Sequence, residues 1–550
     1  MSNYEIRTGI DLHDVQGNIV KGFGRSGFPL ARYFLYQVGD EEAGRRFVEL
    51  LLPALTTGSP WTRFGNLGAG TSKPPVTLNV ALSFEGLRRL GVPEKSLLSF
   101  PEEFASGMRS RAALLGDDGP SDPSQWDPVW DLDGTIQRVH VLVSVQAKNA
   151  DELAERTAWI DEQLVAANTP LPPSGTGVVL LGGHSRRTDP KQATFQDAAA
   201  LKAKGFATDK EHFGFADGIS DPFFSESGNV KDYVQGGGKR VAKHSATTPA
   251  GWVPLATGEF LLGHIDEADE YPAAPVPTML SKNGTFLVYR KLHQNTASFD
   301  RFVEAEGARY GDPNLFAAKL VGRWKNGAPL VNFPTEASAT AFREQLLDAN
   351  KRRFDDNLGK VGQDAAEREY YALKLQQMAF DYDEDLAGER CPMNAHIRRT
   401  NPRSTLEFGT KGAFRSPDAL VNRRRILRRG MPYGASSEPE DRADDQDHGL
   451  IFVGLCASIA RQFEFAQQQW VNYGNDFHLA NNKDPIAGNH PPAGSTRGGH
   501  LVIDNDPANG RKPYFCNTIT RFVETRGGEY FFVPSPTALL AIARGDVDPT

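Results

Sequence analysis

The sequence predicts an α+β fold made of two related modules with antiparallel sheets. Three observations support this fold class. Several stretches alternate apolar and polar residues, as half-buried strands do. Other stretches space their apolar residues as amphipathic helices do. The first third of the chain orders these elements as β-α-β-β-α-β, which is the ferredoxin-like pattern. With 550 residues, the chain is long enough for two or more domains.

The first module contains four predicted strands and three predicted helices. The strands are ARYFLYQV (31–38), PVTLNVALS (75–83), TIQRVHVLVSVQA (135–147) and TGVVLL (176–181). The helices are EEAGRRFVELLLP (41–53), FEGLRRLG (84–91) and ADELAERTAWIDEQLVA (150–166). A loop rich in Pro, Gly and Asp (116–128) interrupts the pattern after the second helix.

The second module is a looser repetition of the same elements. Its predicted strands are GEFLLGHI (258–265), GTFLVYRKL (284–292), HGLIFVGLC (448–456) and EYFFVPS (529–535). Helices are predicted over 295–311 and in SIARQFEFAQQQWV (458–471). Between them lies a large helical insertion at about 312–445. We therefore divide the chain into an N-terminal module, 1–235, and a C-terminal module, 236–550.

The bulk composition favours a soluble cytoplasmic protein. The formal net charge of -8 argues against nucleic acid and anionic membranes as partners. The three cysteines form no CxxC pair, which is typical of a reducing compartment. The N-terminus lacks the charged start and apolar run of a signal peptide, and no segment has the roughly 18 apolar residues that span a membrane.

Two glycine-rich stretches resemble nucleotide-binding motifs without their context. Gly22, Gly24 and Gly27 match GxGxxG, but a strand follows them where a dinucleotide site needs a helix. GGGKR (236–240) lacks the Ser or Thr of a P-loop. We predict turns at both places.

Three other stretches carry residues with a possible chemical role. In HFGFADGISDP (212–222), Asp217 lies in a glycine-flanked turn among aromatic residues. In CPMNAHIRRTNPRS (391–404), His396 is followed closely by three arginines. NRRRILRRGMPYG (422–434) reads as an arginine-bearing strand that ends in a turn. Taken singly, the last two are also typical of a solvated basic turn and of an exposed charged strand.

Together the three stretches fit peroxide activation on haem. Haem needs an axial ligand, for which a histidine nitrogen is the commonest choice. Its two propionates need cations, and guanidinium pairs well with carboxylate. Peroxide cleavage needs a base that moves a proton between the oxygens and a cation that stabilises charge on the leaving oxygen.

The same stretches resemble the dye-decolorizing peroxidase family. The family's GxxDG motif is matched by Gly214, Asp217 and Gly218. Six further stretches are similar to family segments, in order, over nearly the whole chain: DVQGNIVKGFGR, GTFLVYRKL, AHIRRTNPR, ILRRGMPYG, HGLIFVG and GGEYFFVPS. The chain length and insertions resemble the long bacterial and fungal branch. The resemblance implies two ferredoxin-like modules, with one haem b per chain in the C-terminal module.

The resemblance also implies a role for each matched residue. His396 matches the proximal histidine, the axial ligand of the haem iron. Asp217 matches the distal acid–base residue, and Arg428 the distal arginine. The remaining expected haem contacts are Arg403 as a propionate partner, Leu450 and Phe452 on the distal side, and Asp484 as the carboxylate that hydrogen-bonds His396.

The implied activity is reduction of hydrogen peroxide coupled to one-electron oxidation of dyes and of phenolic or other small aromatic donors. A carboxylate base predicts activity at acidic pH. Bulky dyes would have to pass electrons through surface aromatics, with Tyr433 and Trp470 as examples. We expect a monomer or homodimer. Two alternatives stay open: a haem storage or transfer protein without turnover, in which Asp217 and Arg428 would have no purpose, and a scaffold that binds no haem.

Overall fold

The computed structural model describes most of the chain. The described residues are 10–23, 27–61, 72–134, 136–170, 175–186, 194–225, 234–241, 251–406, 418–434 and 443–548. Gly24 of the GxGxxG stretch lies outside them, and β1 follows this stretch as predicted.

The strands and helices of these residues are numbered in chain order. The strands are β1 (Leu30–Val38), β2 (Val76–Leu82), β3 (Leu132–Asp133), β4 (Ile136–Gln137), β5 (Val141–Ala147), β6 (Val178–Leu180), β7 (Gln196–Ala199), β8 (Lys202–Ala203), β9 (Phe206–Ala207), β10 (Lys239–Val241), β11 (Gly251–Val253), β12 (Thr285–Gln294), β13 (Leu427–Arg428), β14 (Met431–Tyr433), β15 (Gly449–Cys456), β16 (Gly499–Ile503), β17 (Tyr514–Ile519) and β18 (Val523–Val533). The α-helices are α1 (Gly17–Val20), α2 (Glu41–Leu51), α3 (Phe84–Arg89), α4 (Glu94–Leu97), α5 (Glu102–Ser110), α6 (Ala112–Leu115), α7 (Ala150–Ala167), α8 (Val234–Gly237), α9 (Thr278–Ser281), α10 (Thr296–Tyr310), α11 (Pro313–Val321), α12 (Glu336–Arg352), α13 (Gly359–Met378), α14 (His396–Thr400), α15 (Ala419–Asn422) and α16 (Pro536–Arg544).

One ten-stranded antiparallel sheet joins the two halves of the chain. Its order is β13-β15-β12-β18-β2-β5-β1-β6, with β14 also paired to β15 and β7 to β1. The segment β6-β1-β5-β2 has the ferredoxin-like strand order, which confirms the pattern predicted for the first module. The segment β18-β12-β15, flanked by β13 and β14, repeats that order. The halves meet where Phe532 of β18 pairs with Leu82 of β2.

The core lies on both faces of this sheet. Every residue of β2 and of β5 is buried, although the sequence alternates as half-buried strands do. Helices cover one face, with α7 against β5 and α2 against β1, and residues from both faces of β2 and β5 belong to the same apolar core. A second apolar cluster holds α10, α11 and α12 together beside the C-terminal half. The three cysteines are buried and unpaired.

The predicted strand at 258–265 is wrong. The structure has a 3-10 turn at Thr257–Glu259 instead. Phe260, Leu261 and Leu262 are all fully buried, whereas a half-buried strand would expose every second residue. Gly263 follows with a φ of 78°, a conformation that breaks a strand.

The interval 312–445 contains more than helices. It holds α11, α12 and α13, but β13 and β14 near its end join the main sheet. The segment 458–471 is helical as predicted, in π-helical turns at Ile459–Glu464 and Ala466–Val471. No helix among the described residues is long and apolar enough to cross a membrane.

A buried carboxyl on β18 should make stability depend on pH. Glu529 is 1% exposed, and its Oε1 accepts hydrogen bonds from the backbone N–H groups of Met108 and Tyr530 at 2.8 and 2.7 Å. Its Oε2 has no hydrogen-bond partner among the described residues. Burial outweighs the hydrogen bonds and raises the pKa of Glu529 from 4.5 to about 7.

We expect Glu529→Gln to stabilise the protein at pH 8 but not at pH 4.5. The native state is most stable below pH 4.5, the ordinary pKa of Glu529 in the unfolded chain. Its free energy of unfolding falls as pH rises from there to about 7, the pKa of Glu529 in the folded protein. The gain at pH 8 should be about 1–3 kcal/mol. Urea unfolding at both pH values measures it, with the exposed Glu155→Gln as control. An equal effect of Glu529→Gln at both pH values would contradict this account.

Candidate active site

Most of the predicted site residues line one cavity of about 1110 Å³. It lies between the C-terminal half of the sheet, α13, α14 and the segment that carries the GxxDG motif. Asp217, Arg428, His396 and Arg403 all line it, as do Leu450 and Phe452. This volume is slightly above the usual range of about 300–1,000 Å³ for pockets that enclose small ligands.

His396 stands at the first position of α14, where its ring faces the cavity. Its Nδ1 lies 2.8 Å from Oδ2 of Asp484. The carboxylate can only accept, so Nδ1 donates, and Nε2 is the nitrogen left for a ligand. Burial alone would lower the pKa of His396, but Asp484 outweighs it and the net shift is upward.

Asp484 is fully buried behind this histidine. Its Oδ1 accepts from the backbone N–H groups of Ile486 and Ala487 at 2.8 and 2.9 Å. Burial would raise the pKa of Asp484, yet His396 and these N–H groups outweigh it and lower the pKa. The carboxylate is therefore held ionised and fixes both the tautomer and the orientation of the ring.

Arg398 and Arg399, two and three positions after His396, do not line the cavity. Arg398 is completely buried and donates to Asp385 and to the backbone oxygen of Cys391. Arg399, equally buried, donates to the backbone oxygens of Trp470, Tyr473 and Asn482. Both side chains fasten α14 to its neighbours. The solvated basic turn is therefore excluded, and a contact with a cavity anion is left to Arg403.

Asp217 and Arg428 form an ion pair on the GxxDG side of the cavity. Asp217 Oδ1 lies 3.3 Å from Nη1 of Arg428, and Nη2 of the same arginine donates to the backbone oxygen of Ile219 at 2.8 Å. Gly214 and Gly218 have φ values of 90° and 76°, which explains why this turn needs glycine at both positions.

The aromatic residues of the motif anchor the turn. Phe213 and Phe215 are buried in the apolar cluster of the helical region, and Phe213 packs on Phe299 with ring centroids 4.4 Å apart.

Arg429, the residue after Arg428, donates to the backbone oxygens of Asn18 and Ile19 and pairs with Asp221. Of the two adjacent arginines, Arg428 is thus the one paired with Asp217.

Glu211 is a site residue that the sequence reasoning missed. Its carboxylate accepts from the backbone N–H groups of Phe213 and Phe215 and from Nε2 of Gln294, at 2.8, 2.9 and 2.6 Å. Burial raises its pKa, against the effect of these bonds. It holds the turn before Asp217 in shape. An acidic residue just before a glycine-rich turn, able to accept backbone N–H groups, was the available signal.

Three buried arginines concentrate positive charge at one end of the cavity. Arg323, Arg403 and Arg425 line it, and within the described ranges none has a carboxylate at ion-pair distance. Arg403 and Arg323 donate to backbone oxygens, and Arg403 lies over the ring of Phe380 at 4.0 Å. Burial, and after it the charge of Arg403, lowers the pKa of Arg323 to about 9 and that of Arg425 to about 10. This end is built for an anionic group.

The apolar wall comes from β15. Leu450 and Phe452 are two residues apart and so point to the same side of the strand. Their partners on β12 are Leu292 and Arg290. The cavity therefore fits a haem. It offers an imidazole nitrogen on one side, an apolar wall, and a cationic end that can pair with two propionates.

Tyr433 and Trp470 are not surface aromatics. They are 2% and 1% exposed. Trp470 packs against Phe465 and Phe477, so its place is in a small buried cluster. The prediction that these two residues lie at the surface is therefore wrong.

Comparison with known proteins identifies the family that the chain resembles. Two family models match: "DyP dimeric alpha+beta barrel domain" over residues 14–170 and "Dyp-type peroxidase, C-terminal" over residues 369–489, together just over half of the chain. Peroxidase 2 of Mycetinis scorodonius is 28% identical over 96% of this chain and 87% of its own length. The multifunctional dye peroxidase DyP2 of an Amycolatopsis species is 31% identical over 59% of each. An ancestral D-type dye-decolorizing peroxidase has a similar structure, with a TM-score of 0.67 and 25% identity over 96% of this chain and 98% of that one.

The fold and the site define a peroxidase, an oxidoreductase that acts on peroxide. The chain belongs to the DyP-type peroxidase family. Its fold is the α+β barrel of that family, and members of the family are haem enzymes.

Proposed function

We propose that this chain reduces hydrogen peroxide and oxidises dyes and phenolic or other small aromatic donors in one-electron steps, with one haem b per chain in the cavity. One observation carries the proposal. The His396–Asp484 pair and the Asp217–Arg428 pair stand at the same cavity. Relatives named as dye-decolorizing peroxidases support the donor class.

Five residues would hold the haem or support the residues that do. Nε2 of His396 would bind the haem iron, and Asp484 would make that nitrogen a stronger donor. Arg403 would pair with a propionate, and Arg323 and Arg425 add charge at the same end. When bound, the haem supplies an iron that binds peroxide and exchanges electrons with the donors.

Asp217 and Arg428 would divide the work on peroxide. Asp217 would take the proton from one peroxide oxygen and deliver it to the other, so that water can leave. Arg428 would hold the carboxylate in place and stabilise negative charge on the departing oxygen. Leu450 and Phe452 would keep bulk water and large molecules from this side.

The alternative without turnover is haem storage or transfer. It needs the His396 side of the cavity but gives no reason for the half-buried carboxylate of Glu211 to shape the turn that presents Asp217. The Asp217–Arg428 pair therefore favours the peroxidase. We also propose that the chain divides into its two modules between residues 235 and 236, and that it is a monomer or a homodimer.

The test is to load the purified chain with haem b, measure haem per chain, and add one equivalent of peroxide. We expect one haem per chain and a rapid spectral change that an aromatic donor reverses.

A carboxylate stays ionised down to about pH 4, whereas a histidine base is protonated below about 6.5. We therefore expect dye oxidation to be fastest at acidic pH. Haem that peroxide only bleaches would favour storage, and a rate maximum above about pH 7 would argue against Asp217 as the base.

A further inference from the structure

The cavity also reaches the face of the sheet opposite the proposed haem site. On β15, Leu450 and Phe452 line it from one face, and Val453, the next residue, points to the other face. On β12, Leu292 pairs with Leu450 on the first face, and Leu287 lies on the second. All five residues line the cavity, which therefore has a lobe on each face of the sheet.

The second face is the inside of a sheet that closes on itself. β14 pairs at one end of the sheet and β7 at the other, yet these two strands are in contact. Tyr33 of β1 packs on Tyr289 of β12 with ring centroids 5.6 Å apart, although β18, β2 and β5 lie between those strands. The sheet curls until its ends meet, and the side chains of this face point into the enclosed space.

Side chains from four strands line the enclosed part of the cavity. Tyr33 stands opposite Ser144 in the pairing of β1 with β5, so both lie on the inner face. Leu142 and Gln146, two residues to either side of Ser144, point the same way. We call this lobe the inner chamber, and its lining residues are Tyr33, Leu142, Ser144, Gln146, Leu287 and Val453.

The inner chamber contains a buried hydroxyl group that needs a partner. Tyr33 is 2% exposed, and among the described residues its hydroxyl has no partner at hydrogen-bond distance. Burial raises the pKa of Tyr33, and the nearby side chain of Gln146 opposes this rise without cancelling it. The hydroxyl therefore stays protonated, and it can both donate and accept. Because buried polar groups nearly always have a hydrogen-bond partner, a polar group of a bound molecule would suit this position.

The rest of the inner chamber is uncharged. Leu142, Leu287 and Val453 are apolar, and the six lining residues include no carboxylate, amine or guanidinium group. An ionised ligand would have no counter-charge here, and burying it would be costly. Apolar walls with a few convergent polar groups are typical of a site for a small molecule. These features select a neutral ligand.

We propose that the inner chamber is a second binding site, separate from the haem site, for a small neutral molecule with an apolar body and an amide or hydroxyl group. The polar group would bond to Tyr33, Ser144 and Gln146, and the apolar body would pack on Leu287 and Val453. This site does not depend on the proposed peroxidase function, because the two sites use opposite faces of the sheet. A competing use of the inner chamber is to hold ordered water alone.

Fluorine NMR can measure the binding of two matched probes to the full chain. Para-fluorobenzamide carries the expected amide group, and para-fluorotoluene lacks any hydrogen-bonding group. We expect the benzamide to bind about 10-fold more tightly than the toluene. Its dissociation constant should not change when haem is added, because haem is proposed for the opposite face of the sheet.

Variants that remove single hydroxyl groups locate the binding. Tyr33→Phe and Ser144→Ala should each weaken benzamide binding by about 3- to 10-fold and leave toluene binding unchanged. Tyr36→Phe is the matched control. Tyr36 is also a buried tyrosine of β1 whose hydroxyl has no hydrogen-bond partner among the described residues, but it points to the opposite face and does not line the cavity. This control should bind the benzamide as the wild-type protein does.

Three results would overturn the proposed second site. Absence of measurable benzamide binding would leave the inner chamber to water. Loss of benzamide binding on addition of haem would place the probe on the haem side of the sheet. Equal benzamide binding by Tyr33→Phe and Tyr36→Phe would show that the inner face takes no part. A chain that takes up no haem but shows the expected order of variants would remove the haem proposal and leave the second site standing.

Discussion

Replacing Asp217 by Asn should lower kcat/KM for peroxide by about 10²- to 10⁴-fold, the usual contribution of general acid–base catalysis. Asparagine keeps an oxygen that can accept from Arg428, so the turn and the arginine should stay in place. It cannot take up the peroxide proton. Haem content should be unchanged, and the loss should appear at every pH at which the wild-type protein is active. Stopped-flow mixing of the haem-loaded variant with peroxide measures the effect.

The control for this variant is Asp133→Asn. Asp133 is an exposed carboxylate on the short strand β3 and does not line the cavity. Its replacement should change the rate by less than about twofold, because surface changes of this kind have small effects. If Asp217→Asn retains wild-type kcat/KM at normal haem content, another group moves the proton and Asp217 loses its proposed role.

The second large effect is expected from His396→Ala. The variant removes the nitrogen that faces the cavity and leaves the buried carboxylate of Asp484 without its partner. Haem affinity should fall by more than about 100-fold, since even changes to the residues behind a ligand cost 10- to 100-fold. Stability should drop by about 3–5 kcal/mol, because a buried charge is left uncompensated. Haem titration and urea unfolding measure the two effects.

Two further variants guard against a trivial loss of folding. Asp484→Asn keeps the shape of the side chain and should weaken haem binding by about 10- to 100-fold. His500→Ala removes an exposed histidine on β16 and should bind haem normally. Added imidazole should restore haem binding to His396→Ala by filling the vacated space. Normal haem affinity in His396→Ala would show that another residue supplies the ligand.

The local patterns of the sequence predicted the elements correctly where neighbouring residues decide the structure. The first module follows the predicted β-α-β-β-α-β order because the apolar period of each segment matches its final element. The prediction failed at 258–265. There the apolar run is buried on all sides, and such a run has no period that separates a strand from a turn.

The sequence by itself determined the α+β class, the ferredoxin-like order of the first module, and the turn around Asp217 that Gly214 and Gly218 make possible. These depend on residues a few positions apart, whose conformational limits act locally. It also pointed to His396, first through the residues of its stretch and then through the resemblance, and to Asp484 through the resemblance alone.

Only the tertiary structure decided which charged side chains face the cavity. Arg398 and Arg399 look like anion-binding residues in the sequence, yet they hold α14 to backbone oxygens. Asp484 meets His396 across 88 residues, and Gln294 on β12 donates a hydrogen bond to Glu211, the residue that supports the turn. The direction of a side chain and its distant partners follow from how whole elements pack. The burial that shifts the pKa of Arg323 or Glu529 exists only once those elements have come together.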